Sequence, residues 1–221
     1  MKQTKPFWLD YNHPGKKPLP LWLFHVVLKP LMLLRYRIKV EGLDHIPLDG
    51  SLLVLAKHQR FEDIPLGYLF ALAKRRKDVW CLMKHTLGGG YLTSLGGISI
   101  NRHDPHKSKA DLKLCRAVLD HQQLLALFPE QTLYPGNMGR GKLPGFRFIT
   151  ERTGSGPLQV ICIGYEYKRT PFYRRTAVTM RLGPVSTFES GKTETAGFFH
   201  ERMLELAGLC NLEYPYGSAN E

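Results

Sequence analysis

Short apolar runs alternate with helical periodicities along most of the chain. Residues 51–57 (SLLVLAK) read as a buried strand, and so do 79–83, 96–100, 124–128, 158–165 and 177–182. Residues 64–74 and 193–209 carry helical patterns. A third helix is expected over 107–121, where Ala110, Leu114, Ala117 and Val118 share one face. Asp104 and Pro105 supply its cap and first turn. Pro129 closes the run 124–128, and the glycines at 88–90 read as a turn. Strands alternating with helices predict an α/β fold with a mixed, largely parallel central sheet flanked by helices.

The first 39 residues differ from the rest. Lys2, Lys5, Lys16, Lys17, Lys29, Arg35, Arg37 and Lys39 face only Asp10, a surplus of seven charges out of a net +12. Interleaved with them are Leu19, Trp22, Phe24, Val26, Val27, Leu28, Leu31 and Leu34. Apolar bulk, a tryptophan and flanking lysines suit a helix lying in an anionic membrane interface. The run 19–34 is broken by charge and proline and falls short of the roughly 20 apolar residues that span a bilayer. The expectation is therefore a basic, apolar membrane-surface helix in residues 1–39 and one catalytic domain in 40–221. That makes a peripheral, monotopic protein on the cytoplasmic face. The plainer alternative is a helix packed on the protein's own core. No stretch reads as a cleavable signal, and residues 1–20 and 217–221 are expected to be the looser ends.

Hydrophobic residues make up 43% of the 221 and charged residues 23%, which places the body of the chain among ordered globular domains. The four cysteines, Cys81, Cys115, Cys162 and Cys210, lie far apart in sequence. They form no CxxC pair and no metal-spaced cluster, so reduced, mostly buried thiols and no metal are expected. A pI near 9.6 admits nucleic acid, but no zinc finger, RNP-type aromatic block or helix-turn-helix pattern accompanies it.

Candidate chemistry starts at His58 and Asp63, an H-x-x-x-x-D spacing. With nine His in 221 residues, about one-third of such an occurrence is expected by chance. A second copy, His106 and Asp111, falls on the helix expected over 107–121, where five residues turn the side chains about 140° apart. His58 instead follows a strand and Asp63 opens the next helix, so the turn between them can fold the carboxylate back onto the imidazole. A neutral histidine is a base near pH 7, and a carboxylate on its other nitrogen fixes the tautomer and stabilises the imidazolium. A capping aspartate beside an unrelated histidine is the plainer account of the spacing alone. Arg102, at a strand end, suits a bidentate grip on phosphate. Glu130 and Thr132, after a buried strand and a proline, suit a head-group contact through a hydroxyl, backbone amides or a supporting carboxylate.

Four blocks, in order over roughly residues 40–165, resemble those of the glycerolipid (lysophospholipid) acyltransferase family, which includes 1-acylglycerol-3-phosphate acyltransferases. They are His58–Asp63 after Val40-Glu41-Gly42-Leu43, then Gly96-Gly97-Ile98-Ser99-Ile100-Asn101-Arg102, then Phe128-Pro129-Glu130-Gln131-Thr132-Leu133, and the apolar strand after Pro157. The chain departs from the family at Lys57 (usually Asn), Arg60 (commonly Ser), Gln131 (Gly) and Leu133 (Arg). The family's arginine at the last position helps to hold an acceptor phosphate. Arg60, Arg140, Lys142 and Arg147 are the candidates to replace it.

The resemblance implies His58 as base, Asp63 as its orienter, and substrate contacts at Arg102, Glu130, Gln131, Thr132, Arg60 and Lys142. It further implies a co-substrate, acyl-CoA or acyl carrier protein, with no cofactor, and a lysolipid acceptor, 1-acylglycerol-3-phosphate by default. Transfer would be direct, without an acyl-enzyme, and no G-x-S-x-G nucleophile elbow occurs. A different lipid alcohol as acceptor, a non-catalytic lipid-binding relative and a hydrolase remain open alternatives.

Overall fold

The computed structural model describes residues 5–87, 90–101, 105–151, 156–168, 171 and 174–217. An eight-stranded sheet forms its centre. The strand order is β1 (Tyr36–Glu41), β7 (Thr176–Leu182), β6 (Leu158–Lys168), β2 (Leu52–Ala56), β5 (Leu124–Leu127), β3 (Val79–Lys84) and β4 (Gly97–Ile100), with β8 (Ser186–Phe188) paired to β6. Strands β6, β2, β5, β3 and β4 run parallel to their neighbours, as do β1 and β7. Among the described residues the antiparallel pairings are β6–β7 and β6–β8. The sheet is thus mixed and mostly parallel, as the alternating pattern predicts.

The reason lies in β2, whose five residues are all buried. Leu52, Val54 and Ala56 face one layer, built from Leu66, Leu69 and Phe70 of helix α2 (residues 63–75) and a stripe of α1 (Pro18–Arg35). Leu53 and Leu55 face the other, where α4 (Pro105–Asp120), α5 (Leu143–Thr150) and α6 (Thr195–Leu209) bring Leu114, Phe146 and Phe199. A strand covered on both faces needs a continuous apolar run rather than alternation. Each such leucine contributes roughly 1.5–3 kcal/mol of burial. A short helix, α3 (Gly90–Ser94), precedes β4; residues 88 and 89 of the expected glycine turn lie outside the described residues.

Two N-terminal features differ from expectation. Strand β1 takes up the chain from Tyr36, straddling the 39/40 boundary, with Tyr36 buried and Ile38 and Val40 packed toward the core while Arg37 is exposed. The arm before α1 is also tied down. The Phe7 and Trp8 rings sit 6.0 and 5.8 Å from that of Trp80, and Phe7 stacks on His121 at 4.1 Å. His13 is buried with Nε2 3.0 Å from the Gly97 carbonyl, and burial holds its pKa below the ordinary value. Two aromatic side chains outweigh the proline and lysine content that suggested a loose end.

Helix α1 rests one stripe, Phe24, Leu28 and Met32, against the core, with the Phe24 and Tyr68 rings 5.5 Å apart. None of its residues is buried, and Leu19, Trp22, Val26, Val27, Leu31 and Leu34 are exposed. It runs 18 residues, two more than the apolar stretch read from sequence. By length and composition alone that suffices to cross a membrane.

Candidate active site

Strands β2, β5, β3 and β4 are parallel, so their C-terminal ends gather on one edge of the sheet, the edge where open α/β sheets build sites. His58 lies two residues past β2, Phe128 one residue past β5, and Lys84 ends β3. They border an open cavity of about 880 Å³.

Asp63 is the first residue of α2 and is fully buried. The turn from His58 to Asp63 brings its Oδ2 to 3.5 Å from His58 Nδ1, while the imidazole stays partly open to the cavity. The same oxygen accepts the backbone N–H groups of Gln59 and, at 2.7 Å, Arg60. The Tyr167 hydroxyl donates to Oδ1, and the Tyr165 hydroxyl donates to the Asp63 carbonyl at 3.0 Å. Three donors and a helix N-terminus therefore hold a buried carboxylate in place. Burial, and then the Asp63 charge, push the Tyr167 hydroxyl well above its ordinary pKa, so it remains a donor at any physiological pH. With Nδ1 turned toward Asp63, Nε2 is the nitrogen left for the cavity. The Phe128 ring packs on the imidazole at 4.2 Å.

Behind the histidine lies a second charged pair. Lys57 and Glu130 are both fully buried, with Nζ 2.9 and 2.8 Å from the two carboxylate oxygens. Burial pulls the Glu130 carboxyl upward in pKa, while the Lys57 ammonium and the backbone N–H groups of Gly139 and His58 pull the other way.

Of the residues expected to contact substrate, Gln131, Thr132 and Lys142 line the cavity. Glu130 does not line the cavity and faces Lys57 instead. Arg60 does not line the cavity: its guanidinium lies 4.2 Å over the Tyr167 ring. Arg147 is half-exposed beside Glu151, 3.6 Å away, and Arg140 is exposed. Arg102 lies outside the described residues, as does the side chain of His106. Positions 106 and 111 both fall within α4. Gln131 occupies the left-handed region at φ +61°, the conformation a glycine adopts without cost. Leu133 lines the cavity at the position where the family resemblance has arginine.

Sequence reasoning missed Lys84 and Lys109, which add positive charge to a lining with no carboxylate among the described residues. It also missed Tyr167. Lys84 closes a strand, which is a signal; a tyrosine 104 residues from its partner gives none. A second, almost wholly apolar cavity of about 320 Å³ lies between α1, α2 and the sheet. It shares Phe61, Ile64, Met83, Leu87 and Phe128 with the first. Among the described residues no group of three His, Cys, Asp or Glu side chains gathers to hold a metal.

Comparison with known proteins agrees with this geometry. The chain superposes on the crystal structure of the 1-acyl-sn-glycerophosphate (LPA) acyltransferase PlsC from Thermotoga maritima with a TM-score of 0.60. That likeness covers 86% of this chain and 78% of that one at 19% identity, a likeness of fold. No curated protein matches the chain. The family model described as Acyltransferase matches residues 37–163, more than half the chain, a span that holds His58, Asp63, Glu130 and the cavity walls between them. The protein belongs to the acyltransferase family.

Proposed function

We propose that the protein transfers a fatty acyl group from a thioester, acyl-CoA or acyl carrier protein, to the hydroxyl of a lysophospholipid-like acceptor at a membrane surface. The observation that carries this reading is the His58–Asp63 pair, 3.5 Å apart at the edge of a large, partly apolar cavity, in a member of the acyltransferase family. His58 Nε2 takes the proton of the acceptor hydroxyl, and the oxygen attacks the thioester carbonyl carbon. The tetrahedral intermediate collapses, the C–S bond breaks, and the imidazolium returns its proton to the departing thiolate. Asp63 stabilises the imidazolium during the interval.

The lining supports substrates of this class. Lys84, Lys109 and Lys142, with no opposing carboxylate among the described lining residues, suit a phosphate-bearing molecule. The adjoining apolar cavity suits an acyl chain, with Phe24 and Leu28 of α1 forming part of its wall. Helix α1 rests one stripe on the fold and exposes the rest, including Trp22, which favours lying on a bilayer over crossing it. A surface-lying α1 would bring the reactive edge to the lipid acceptor and acyl chain. 1-Acylglycerol-3-phosphate is the default acceptor, as for the similar PlsC; with Leu133 where the resemblance has arginine, the lysines of the described lining can meet its phosphate.

The test is a panel. Purified protein on vesicles is offered acyl-CoA and acyl carrier protein against lysophospholipids and lipid alcohols, with products identified by mass spectrometry. A new acyl ester on at least one lysolipid is expected. No ester on any acceptor, or free fatty acid as the product, would contradict the reading.

A further inference from the structure

Lys57 and Glu130 have no part in the proton transfer described above, yet they form the most buried ion pair among the described residues, each side chain fully enclosed. Lys57 sits one residue past β2, and its N–H still bonds the Ile163 carbonyl at 3.0 Å, so its backbone is fixed by the sheet. Its ammonium reaches across to both Glu130 oxygens and to the Tyr134 carbonyl at 3.0 Å. Glu130 in turn accepts the N–H groups of Gly139 and, at 3.4 Å, of His58. The Tyr134 N–H closes the circuit on the His58 carbonyl at 3.0 Å, and the Gly136 N–H bonds the Gln59 side chain at 3.1 Å. Residues 57–59 and 130–139 are thereby joined as one piece. The same loop carries Gln131, Thr132 and Leu133 on the cavity wall, and Lys142 is tied back to Pro129 at 2.9 Å.

The geometry points to Lys57 and Glu130 as a positioning pair, a clamp that sets the His58 peptide against the 130–139 loop and so fixes the base relative to an acceptor resting on that wall. The inference rests on the transfer reading above. Its physical basis is the asymmetry of buried charge. An ion pair replaced as a unit by apolar groups of like volume leaves stability nearly unchanged, whereas loss of one partner strands the other. The retained value of such a pair is then directional: it holds two segments in one register, which a pair of methionines cannot do. A shift of about 1 Å between reacting groups costs on the order of 100-fold in rate.

The experiment compares Lys57→Met/Glu130→Met with the unaltered protein and with His58→Ala, all bound to the same vesicles. The double variant, which also leaves the Gly139 N–H and the Tyr134 carbonyl without their side-chain partners, is expected to melt several degrees lower yet stay folded at the assay temperature. Its kcat should fall about 10- to 100-fold, and its KM for the thioester should stay within about twofold. A merely structural pair gives the opposite split: a folded double variant has native kcat, or its loss follows the fraction unfolded. Either result overturns the inference. If the double variant does not fold, Glu130→Gln is judged by the same kcat criterion well below its own Tm, since its amide oxygen still serves the Gly139 N–H and only the longer His58 contact is given up. Transfer that needs His58 but is untouched by the clamp variants sinks this inference alone; no transfer by the unaltered protein sinks both.

Discussion

Replacing Asp63 by Asn removes one charge while keeping nearly every atom. The side-chain oxygen can stay toward the Gln59 and Arg60 N–H groups, because turning the amide nitrogen there would oppose two donors. The amide NH2 then faces the Tyr167 hydroxyl, which can accept by rotating its own proton away. The fold survives, at a cost of roughly 1–3 kcal/mol for weakened charge-assisted bonds. What disappears is the attraction between carboxylate and imidazolium. At 3.5 Å and an effective dielectric constant of about 20, that attraction is at most about 5 kcal/mol. Ground-state imidazole gains little of it, so the loss falls on kcat rather than KM. The expected fall is up to about three powers of ten. The assay is thiol release from acyl-CoA on vesicles carrying the best lysolipid acceptor, with Tm read by circular dichroism. A folded Asp63→Asn protein with kcat within about tenfold of native would refute the reasoning.

Three further outcomes follow from other parts of the molecule. Val27→Glu with Leu31→Glu, both on the exposed side of α1, should abolish sedimentation with anionic vesicles and leave Tm unchanged; retained sedimentation would count against the surface helix. Gly67→Ala places a methyl 2.3 Å from the Tyr165 hydroxyl that bonds the Asp63 carbonyl. It should cost about 1–3 kcal/mol, seen as a Tm drop of several degrees, and an unchanged Tm would show that the contact relaxes freely. Burial lowers the Lys16 ammonium to about 8, so between about pH 8 and 10.5 the unfolded chain binds more protons than the native one and stability rises with pH. Allowing for partial exposure, the rise is about 2 kcal/mol; denaturant titrations should show it in the native protein and not in Lys16→Met.

The sheet was legible in the sequence because strands buried on both faces announce themselves as apolar runs, and each of the six expected strands is present within a few residues. Strand β1 was masked by charge. Arg37, Lys39 and Glu41 alternate with the residues that face the core, so the segment reads as part of the basic arm rather than as a period-two strand. Helix α5, eight residues opening on Leu143-Pro144, is too short for a periodicity to stand out. Around the site, His58 and Asp63 were readable because both sit on one local turn. Glu130 belongs to a recognisable block and Lys57 departs from one, but their pairing across 73 residues is a product of the sheet order. Arg60 looked like a phosphate ligand by proximity to His58; the aromatic face of Tyr167, supplied by the far end of β6, holds it elsewhere.

The central claim is that His58 moves the acceptor's proton. Its most direct test is single-turnover acyl transfer by His58→Ala beside the unaltered protein, on identical vesicles, with Tm and vesicle binding matched. The mechanism predicts a loss of at least about 100-fold in the transfer step with donor binding intact. Transfer by His58→Ala within about tenfold of native would contradict it.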